Sequence, residues 1–260
     1  MEGKPRGGIT QQRILALLLI VEPYVWLVVV VLAPRLLWDA LSWSPVFGSI
    51  ERIDFYNAVT HALLVIVPLF SVRIVHRRGL IEVAGLNVKW PYLLSSCVFL
   101  LPLFSLSLIR GSLDPVVFGP VCEEMFFRMY LFWLYARNEK FNRGGSLKVF
   151  LALVASDVAF TAVHFVPDTA GYYLLESFLE HPSLGAFDLG YSVCRLFSAG
   201  ALFSAAYLLT GTVLSSVSVH STWNAFATYG QGYELFGLIA FMVEFLTWVW
   251  IRKTCAMRSP

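Results

Sequence analysis

Residues 91–109, PYLLSSCVFLLPLFSLSLI, run for nineteen positions without a charged side chain. The hydrocarbon core of a bilayer needs about 20 apolar residues in a helix that crosses it, so this stretch predicts a transmembrane helix. The whole chain is 58% hydrophobic and 14% charged, with a mean hydropathy of +0.70. A soluble domain usually carries about 25% charged residues. The composition therefore predicts an integral membrane protein.

Further apolar stretches extend this prediction to an all-α, polytopic bundle of about eight transmembrane helices. The predicted spans are 14–34, 55–72, 91–109, 116–136, 149–166, 189–209, 212–229 and 235–251. Because the connections are short and no repeat is present, residues 1–260 are expected to form a single integral-membrane domain. The segment 170–181 has apolar residues at helical spacing beside acids, which favours a short interfacial helix, either a lid or an inert surface helix.

The distribution of basic residues predicts the orientation, since Lys and Arg are enriched in cytoplasmic loops. With the N-terminus in the cytoplasm, fourteen Lys and Arg residues lie on the cytoplasmic side. The opposite loops hold only Arg35, Arg52 and Arg110. This bias predicts an even number of crossings, with both termini in the cytoplasm.

The charge and the cysteine content argue against a nucleic-acid-binding protein and against a fold held by disulfides or by cysteine-bound metal. The net charge of +2 is small and scattered, so no nucleic-acid partner is expected. The cysteines show no CxxC or paired spacing, and we interpret them as packing thiols rather than disulfides or metal ligands. They are Cys97, Cys122, Cys194 and Cys255.

Ionisable residues inside the predicted spans mark candidate functional positions, because a charge near the bilayer centre costs on the order of 3 kcal/mol. Three clusters stand out among them, each on its own span. The clusters are residues 123–128 (EEMFFR), residues 160–164 (FTAVH) and residues 220–224 (HSTWN).

Helical geometry separates the two adjacent acids. Glu124 and Arg128 are four residues apart in the favourable order, so they are expected to pair in a structural role. Glu123 is offset by about 100° and is left as the reactive carboxylate. His220 and Asn224 are also four apart and present hydrogen-bond donors on one face, which suits an oxyanion site.

Other buried charges have weaker signals. Asp157 lies two turns before His164 on the same face, and we expect it to orient polar groups or to bind Arg195. Arg195 is a candidate for holding a substrate carboxylate or for an internal ion pair. Glu22 and Glu244 lie in no motif, and we interpret them as satisfied interior or interfacial acids.

The order EExxxR, FxxxH and HxxxN, each on its own span, resembles the signature of the CAAX protease and bacteriocin-processing family of glutamic intramembrane proteases. The family is also called the type II CAAX prenyl endopeptidase or Abi family. The resemblance covers about residues 116–226. The matching residues are Glu123, Glu124, Arg128, Phe160, His164, His220 and Asn224.

The resemblance implies an intramembrane endopeptidase that uses a glutamate-activated water. It implies that Glu123 is the general base, that His164 positions or polarises the water, and that His220 and Asn224 stabilise the oxyanion. Phe160 joins Asp157 and Arg195 as a candidate for substrate contact or for support of these groups. The implied mechanism needs no cofactor, while zinc bound by Glu123, His164 and His220 stays open as an alternative.

The substrate implied by the resemblance is a peptide or protein with a membrane-associated segment. The charge bias places the four catalytic candidates in the outer half of the membrane. An outward-opening cavity favours a prokaryotic plasma-membrane enzyme that cleaves exported substrates at C-terminal or membrane-proximal segments. The alternatives are a CAAX prenyl-protein endopeptidase, a non-catalytic immunity or binding protein of the same fold, and a carrier of small solutes or ions.

Overall fold

A computed structural model of the chain describes residues 7–44, 51–86, 90–136, 145–165, 170–229 and 234–257. Within these ranges the structure is helical with no β-strand, which confirms the all-α prediction. The α-helices are α1 (Gly7–Leu41), α2 (Arg52–Phe70), α3 (Leu80–Val83), α4 (Trp90–Arg110), α5 (Gly119–Glu124), α6 (Trp133–Ala136), α7 (Gly145–Val163), α8 (Ala170–Glu180), α9 (Pro182–Thr210), α10 (Val213–Tyr229) and α11 (Glu234–Met257). Segments of π-helix lie at Ser71–Val75, Asp114–Phe118 and Met125–Phe132.

The predicted spans coincide with helical residues over most of their lengths. By length and composition, four helical segments in the described ranges are able to cross a membrane: Val21–Leu41, Asp54–Val75, Trp90–Arg110 and Gly185–Thr210. Of the other predicted spans, 116–136 is divided among shorter helical segments, and α10 has 17 residues. The number of eight crossings therefore stays a prediction.

The chain divides into two compact units, Met1–Leu63 and Leu64–Pro260, with the boundary inside α2. In the first unit the ring of Trp38 contacts that of Phe55, with centroids 5.4 Å apart. The Glu22 carboxylate accepts a hydrogen bond of 3.2 Å from Trp26 Nε1, as expected for a satisfied acid. The single domain expected from the sequence stays a prediction.

Helix α10 is enclosed in the second unit, where it packs against α4, α5, α9 and α11. Its buried side chains are largely polar: Ser215, Ser216, Ser218, His220, Ser221 and Thr222. In contrast, α4 exposes apolar residues such as Leu101 and Ile109. Small and polar residues between helices, with apolar residues outside, are typical of a bundle surrounded by lipid.

Two glycines with left-handed backbone fix the start of α10. Gly211 (φ 80°) ends α9, and its N–H donates to the Tyr207 carbonyl at 2.7 Å. Gly85 (φ 68°) follows α3, and a Cβ on it would lie 1.8 Å from the Gly211 carbonyl oxygen. Val213 N then donates to Ala84 O at 3.0 Å. Only glycine allows these two turns to approach so closely.

Candidate active site

The imidazole of His220 lies between the two adjacent acids at the end of α5. Its Nδ1 is 2.9 Å from Glu124 Oε1, and its Nε2 is 3.8 Å from Glu123 Oε2. The π-helical segment Met125–Phe132 begins directly after this acid pair. Segments of π-helix are rare in proteins, and many of those that occur lie at functional sites. The structure thus brings together one motif of span four and one of span seven.

Glu124 is fully buried and has partners at both carboxylate oxygens. Its Oε2 accepts a hydrogen bond from the Ser216 hydroxyl and lies 3.3 Å from Arg128 Nε. A carboxylate only accepts hydrogen bonds, so Nδ1–H of His220 donates to Oε1. The ion pair expected from the i,i+4 spacing of Glu124 and Arg128 is therefore present, and it extends to the histidine.

Glu123 has a different environment. Its side chain is 19% exposed, and its buried Oε2 has no hydrogen-bond partner among the described residues. A buried polar atom without a partner is uncommon in a native protein and points to water, an ion or a functional role. The 3.8 Å separation from His220 Nε2 exceeds a direct hydrogen bond. Glu123 thus provides an accepting oxygen that the protein itself does not satisfy.

Arg128 is fully buried and joins three helical segments. Its Nη2 donates to Gly200 O at 2.8 Å and to Asp157 Oδ1 at 3.3 Å. The Ser204 hydroxyl donates to the same Asp157 oxygen at 3.0 Å. The cation that pairs with Asp157 is therefore Arg128, because α7 and the π-helical segment are in contact.

Asp157 was expected to orient polar groups or to bind Arg195, and the second of these roles is wrong because Asp157 pairs with Arg128. Arg195 lies elsewhere. Its side chain is exposed, and its guanidinium carbon lies 5.9 Å from the ring centroid of Trp223. Within the described part of the chain it forms no ion pair, so the internal ion pair expected for Arg195 is absent there. Its role toward a substrate carboxylate stays a prediction.

Phe160 lies against both histidines of the site. Its ring centroid is 4.8 Å from that of His164 and 5.8 Å from that of His220. His220 also stacks on Phe203 at 4.2 Å, and the Arg128 guanidinium lies 4.7 Å from the Phe160 ring. These aromatic rings fix the plane of His220 and separate Arg128 from solvent.

His164 and Asn224 are each held by a backbone carbonyl. His164 follows the last residue of α7, and its Nδ1 lies 2.8 Å from Phe160 O. A carbonyl only accepts, so Nδ1 carries the proton and Nε2 of the neutral ring is an acceptor. The Asn224 amide donates to Pro115 O at 2.8 Å, which ties α10 to the segment that precedes α5. One N–H of the Asn224 amide remains for another acceptor.

Three supporting residues were not identified from the sequence. Ser216 precedes His220 by four positions, and this spacing was an available signal. Gly200 and Ser204 lie on α9, outside the three clusters of ionisable residues, and the fold brings them to Arg128 and Asp157. Among the described residues, no three His, Cys, Asp or Glu side chains are grouped so that they could hold a metal ion.

Outside the site, the structure describes three of the four cysteines and the segment 170–181. Cys97, Cys122 and Cys194 are free thiols; Cys122 is buried, which fits a packing thiol, whereas Cys97 and Cys194 are exposed. The helix expected at 170–181 is present as α8, which packs on α9. The side chain of Cys255 lies outside the described residues.

Comparison with protein families gives a match to part of the chain. The family described as "Type II CAAX prenyl endopeptidase Rce1-like" matches residues 105–226, a little under half of the chain. The matched region contains the acid pair, Arg128 and both motif histidines, and it confirms the resemblance placed at about 116–226. Neither the comparison with curated proteins nor that with solved structures gave a match.

Proposed function

We propose that this chain, a member of the type II CAAX prenyl endopeptidase Rce1-like family through its residues 105–226, hydrolyses a peptide bond inside the membrane with a water activated by Glu123. The family is a protease family, and the apolar helices support an integral membrane protein.

The observation that carries this proposal is the contrast between the two acids. Glu124 is satisfied at both oxygens, whereas Oε2 of Glu123 is buried without a hydrogen-bond partner among the described residues. A water beside Glu123 would satisfy this oxygen and would lie next to His220 Nε2, which is 3.8 Å away. A carboxylate in this position can act as a general base.

The reaction follows from this arrangement. Glu123 accepts a proton from the water, the resulting hydroxide oxygen bonds to the carbonyl carbon, and the carbonyl π electrons move to oxygen. The second N–H of Asn224 stabilises this oxyanion, together with Nε2–H of His220 when the ring carries both protons. The C–N bond then breaks, and Glu123 returns its proton to the leaving nitrogen. As that bond breaks, the electrons of the oxyanion re-form the C=O bond, so the first products are a carboxylic acid and an amine. Transfer of the remaining proton between them gives a carboxylate and an ammonium group.

His164 has a supporting role in this scheme. Its Nδ1 proton is held by Phe160 O, so Nε2 accepts a hydrogen bond. An acceptor of this kind orients the second proton of the attacking water. The ring of Phe160 contacts the rings of both histidines and so keeps them in fixed positions.

We further propose that the cavity opens to the outside of a prokaryotic plasma membrane, with both termini cytoplasmic. The charge bias of the loops supports this orientation. The substrates would then be exported peptides or proteins that have a membrane-associated segment and are cleaved at C-terminal or membrane-proximal positions. In a cysteine-free background, a Tyr173→Cys variant on α8 should react with an impermeant maleimide added outside intact cells. Labelling only after cell lysis would contradict the orientation.

A second candidate function is the processing of prenylated CAAX proteins, which the description of the matching family favours. Those substrates are presented in the cytoplasm, so the orientation test above separates the two candidates. Cleavage of a prenylated C-terminal peptide, but not of its unprenylated copy, would favour this second candidate.

The hydrolase assignment is tested with purified protein in lipid vesicles and a library of membrane-anchored peptides analysed by mass spectrometry. We expect cleavage by wild type and none by Glu123→Ala. Equal cleavage by both proteins, or by neither, would overturn the assignment. A chelator tests the zinc alternative, since the proposed mechanism predicts unchanged rates in its presence.

A further inference from the structure

A further buried acid, Glu244 on α11, contacts the face of α10 that lies away from the active site. Its side chain is fully buried. Its carboxylate accepts a hydrogen bond from the Ser218 hydroxyl, and its Oε2 lies 3.3 Å from Thr222 Oγ1. No cation in the described part of the chain forms an ion pair with it. Glu244 is thus a satisfied interior acid whose partners all lie on one helix.

The spacing of residues on α10 shows that Glu124 and Glu244 contact opposite faces of this helix. At about 100° per residue, Ser216, His220 and Asn224 lie within about 80° of one another. Ser218 and Thr222 are about 40° apart and are centred about 180° from that group. The first face contacts Glu124, and the second contacts Glu244. α10 is therefore held between two buried carboxyl groups.

The helices around this contact are tied to one another by further polar bonds. Trp248 on α11 donates to Ser95 Oγ on α4 at 3.0 Å. Ser96 on α4 and Ser215 on α10 have their hydroxyl oxygens 3.1 Å apart. The Thr222 hydroxyl also donates to Ser218 O at 2.9 Å. Glu244 is thus the acidic member of a polar contact among α4, α10 and α11.

We propose that Glu244 is a positioning residue for hydrolysis: by holding Ser218 and Thr222 it fixes the rotation of α10 about its axis, and so the position of His220 beside Glu123 and that of Asn224 on the same face of α10. This inference rests on the proposed function. A rotation of 10° of a helix moves a side-chain group by a substantial part of an ångström, and misplacement by about 1 Å can reduce a rate about 100-fold. Replacing Glu244 by an apolar residue leaves the Ser218 hydroxyl without its acceptor, whereas the Thr222 hydroxyl keeps Ser218 O but loses its contact with the carboxylate.

The test compares Glu244→Leu, Glu244→Gln and the matched control Thr247→Val. Thr247 is on the same helix, and its hydroxyl donates to Val243 O at 2.7 Å within α11. We expect kcat of Glu244→Leu to fall about 100-fold. KM should change less, because substrate binding depends less on the rotation of α10 than the chemical step does. Gln keeps an oxygen acceptor for Ser218 and supplies an N–H for Thr222, so it should recover most of the activity.

A second measurement reports on the site without turnover. In protein labelled with ¹⁵N-histidine, the His220 ring resonances should shift in Glu244→Leu and stay in place in Glu244→Gln and Thr247→Val. Unshifted His220 resonances together with wild-type kcat in Glu244→Leu would overturn the positioning role. Equal cleavage by wild type and Glu123→Ala would instead overturn the proposed function, and the ¹⁵N spectrum would still decide the role of Glu244.

Discussion

His220 Nδ1 lies 2.9 Å from Oε1 of Glu124, and this bond fixes which ring nitrogen faces the first acid of the pair. Because a carboxylate only accepts, Nδ1 carries a proton and Nε2 is the atom beside Glu123. The second acid is thus an orienting group for the histidine as well as the partner of Arg128. Removing Arg128 or Ser216, which both contact Oε2 of Glu124, should therefore affect His220 through Glu124.

Arg128→Met should destabilise the protein strongly, because Glu124 and Asp157 would both be left buried without their cation. The expected loss is about 3–5 kcal/mol in the free energy of unfolding. Denaturant unfolding in detergent measures it. Arg195→Met, which replaces an exposed arginine on α9, is the control and should change stability by no more than about 0.5 kcal/mol. Similar losses for the two variants would contradict the central structural role of Arg128.

Gly200→Ala should be destabilising, although alanine is normally the better helix residue. A Cβ at Gly200 would lie 3.1 Å from Asp157 Oδ1 and 3.2 Å from Arg128 Nη2. Overpacking of this kind costs about 1–3 kcal/mol. Gly190→Ala on the same helix is the matched control, since nothing lies within 4 Å of its added Cβ. Thermal unfolding of the two variants compares them, and a neutral Gly200→Ala would show that this contact is loose.

Gly85→Ala separates steric exclusion from backbone strain. Gly85 (φ 68°) and Gly111 (φ 66°) have nearly the same left-handed conformation, but only Gly85 touches another backbone. Gly111→Ala should cost about 1–2 kcal/mol from the conformation alone. Gly85→Ala should cost clearly more, because its Cβ would meet the Gly211 carbonyl. Equal unfolding midpoints for the two variants would refute the close approach of the turns that begin α10.

Asn224→Ala should lower kcat by roughly 10²–10³-fold, as expected when one oxyanion donor is removed. KM should change less, because the donor acts mainly on the developing charge. Steady-state kinetics with a peptide from the library measures both constants, with Thr247→Val as the control. A large rise in KM at constant kcat would assign Asn224 to substrate binding instead.

Local patterns in the sequence were sufficient to predict the helical structure and the ion pair between Glu124 and Arg128. Glu124 and Arg128 are four residues apart, so their contact needs only the helical repeat. The bond from Glu124 to His220 joins residues 96 positions apart, and that from Arg128 to Gly200 joins residues 72 positions apart. Such contacts depend on how the helices pack, which no single motif specifies.

The assignment of Asp157 shows the same limit. Its position on α7 indicated a buried polar role, but two arginines were available as partners. The structure places Arg128 at 3.3 Å and leaves Arg195 exposed beside Trp223. The π-helical segment after Glu124 also had no signal in the residue pattern, and it changes the register of the side chains that follow.

The most direct test of the account is kcat of Glu123→Gln, measured beside its unfolding midpoint. Glutamine preserves the shape of the side chain and cannot take a proton from water. We predict a fall in kcat of roughly 10²–10⁴-fold, the usual contribution of a general base, with an unchanged unfolding midpoint. A folded Glu123→Gln enzyme that cleaves the same peptide at nearly the wild-type rate would contradict the glutamate mechanism.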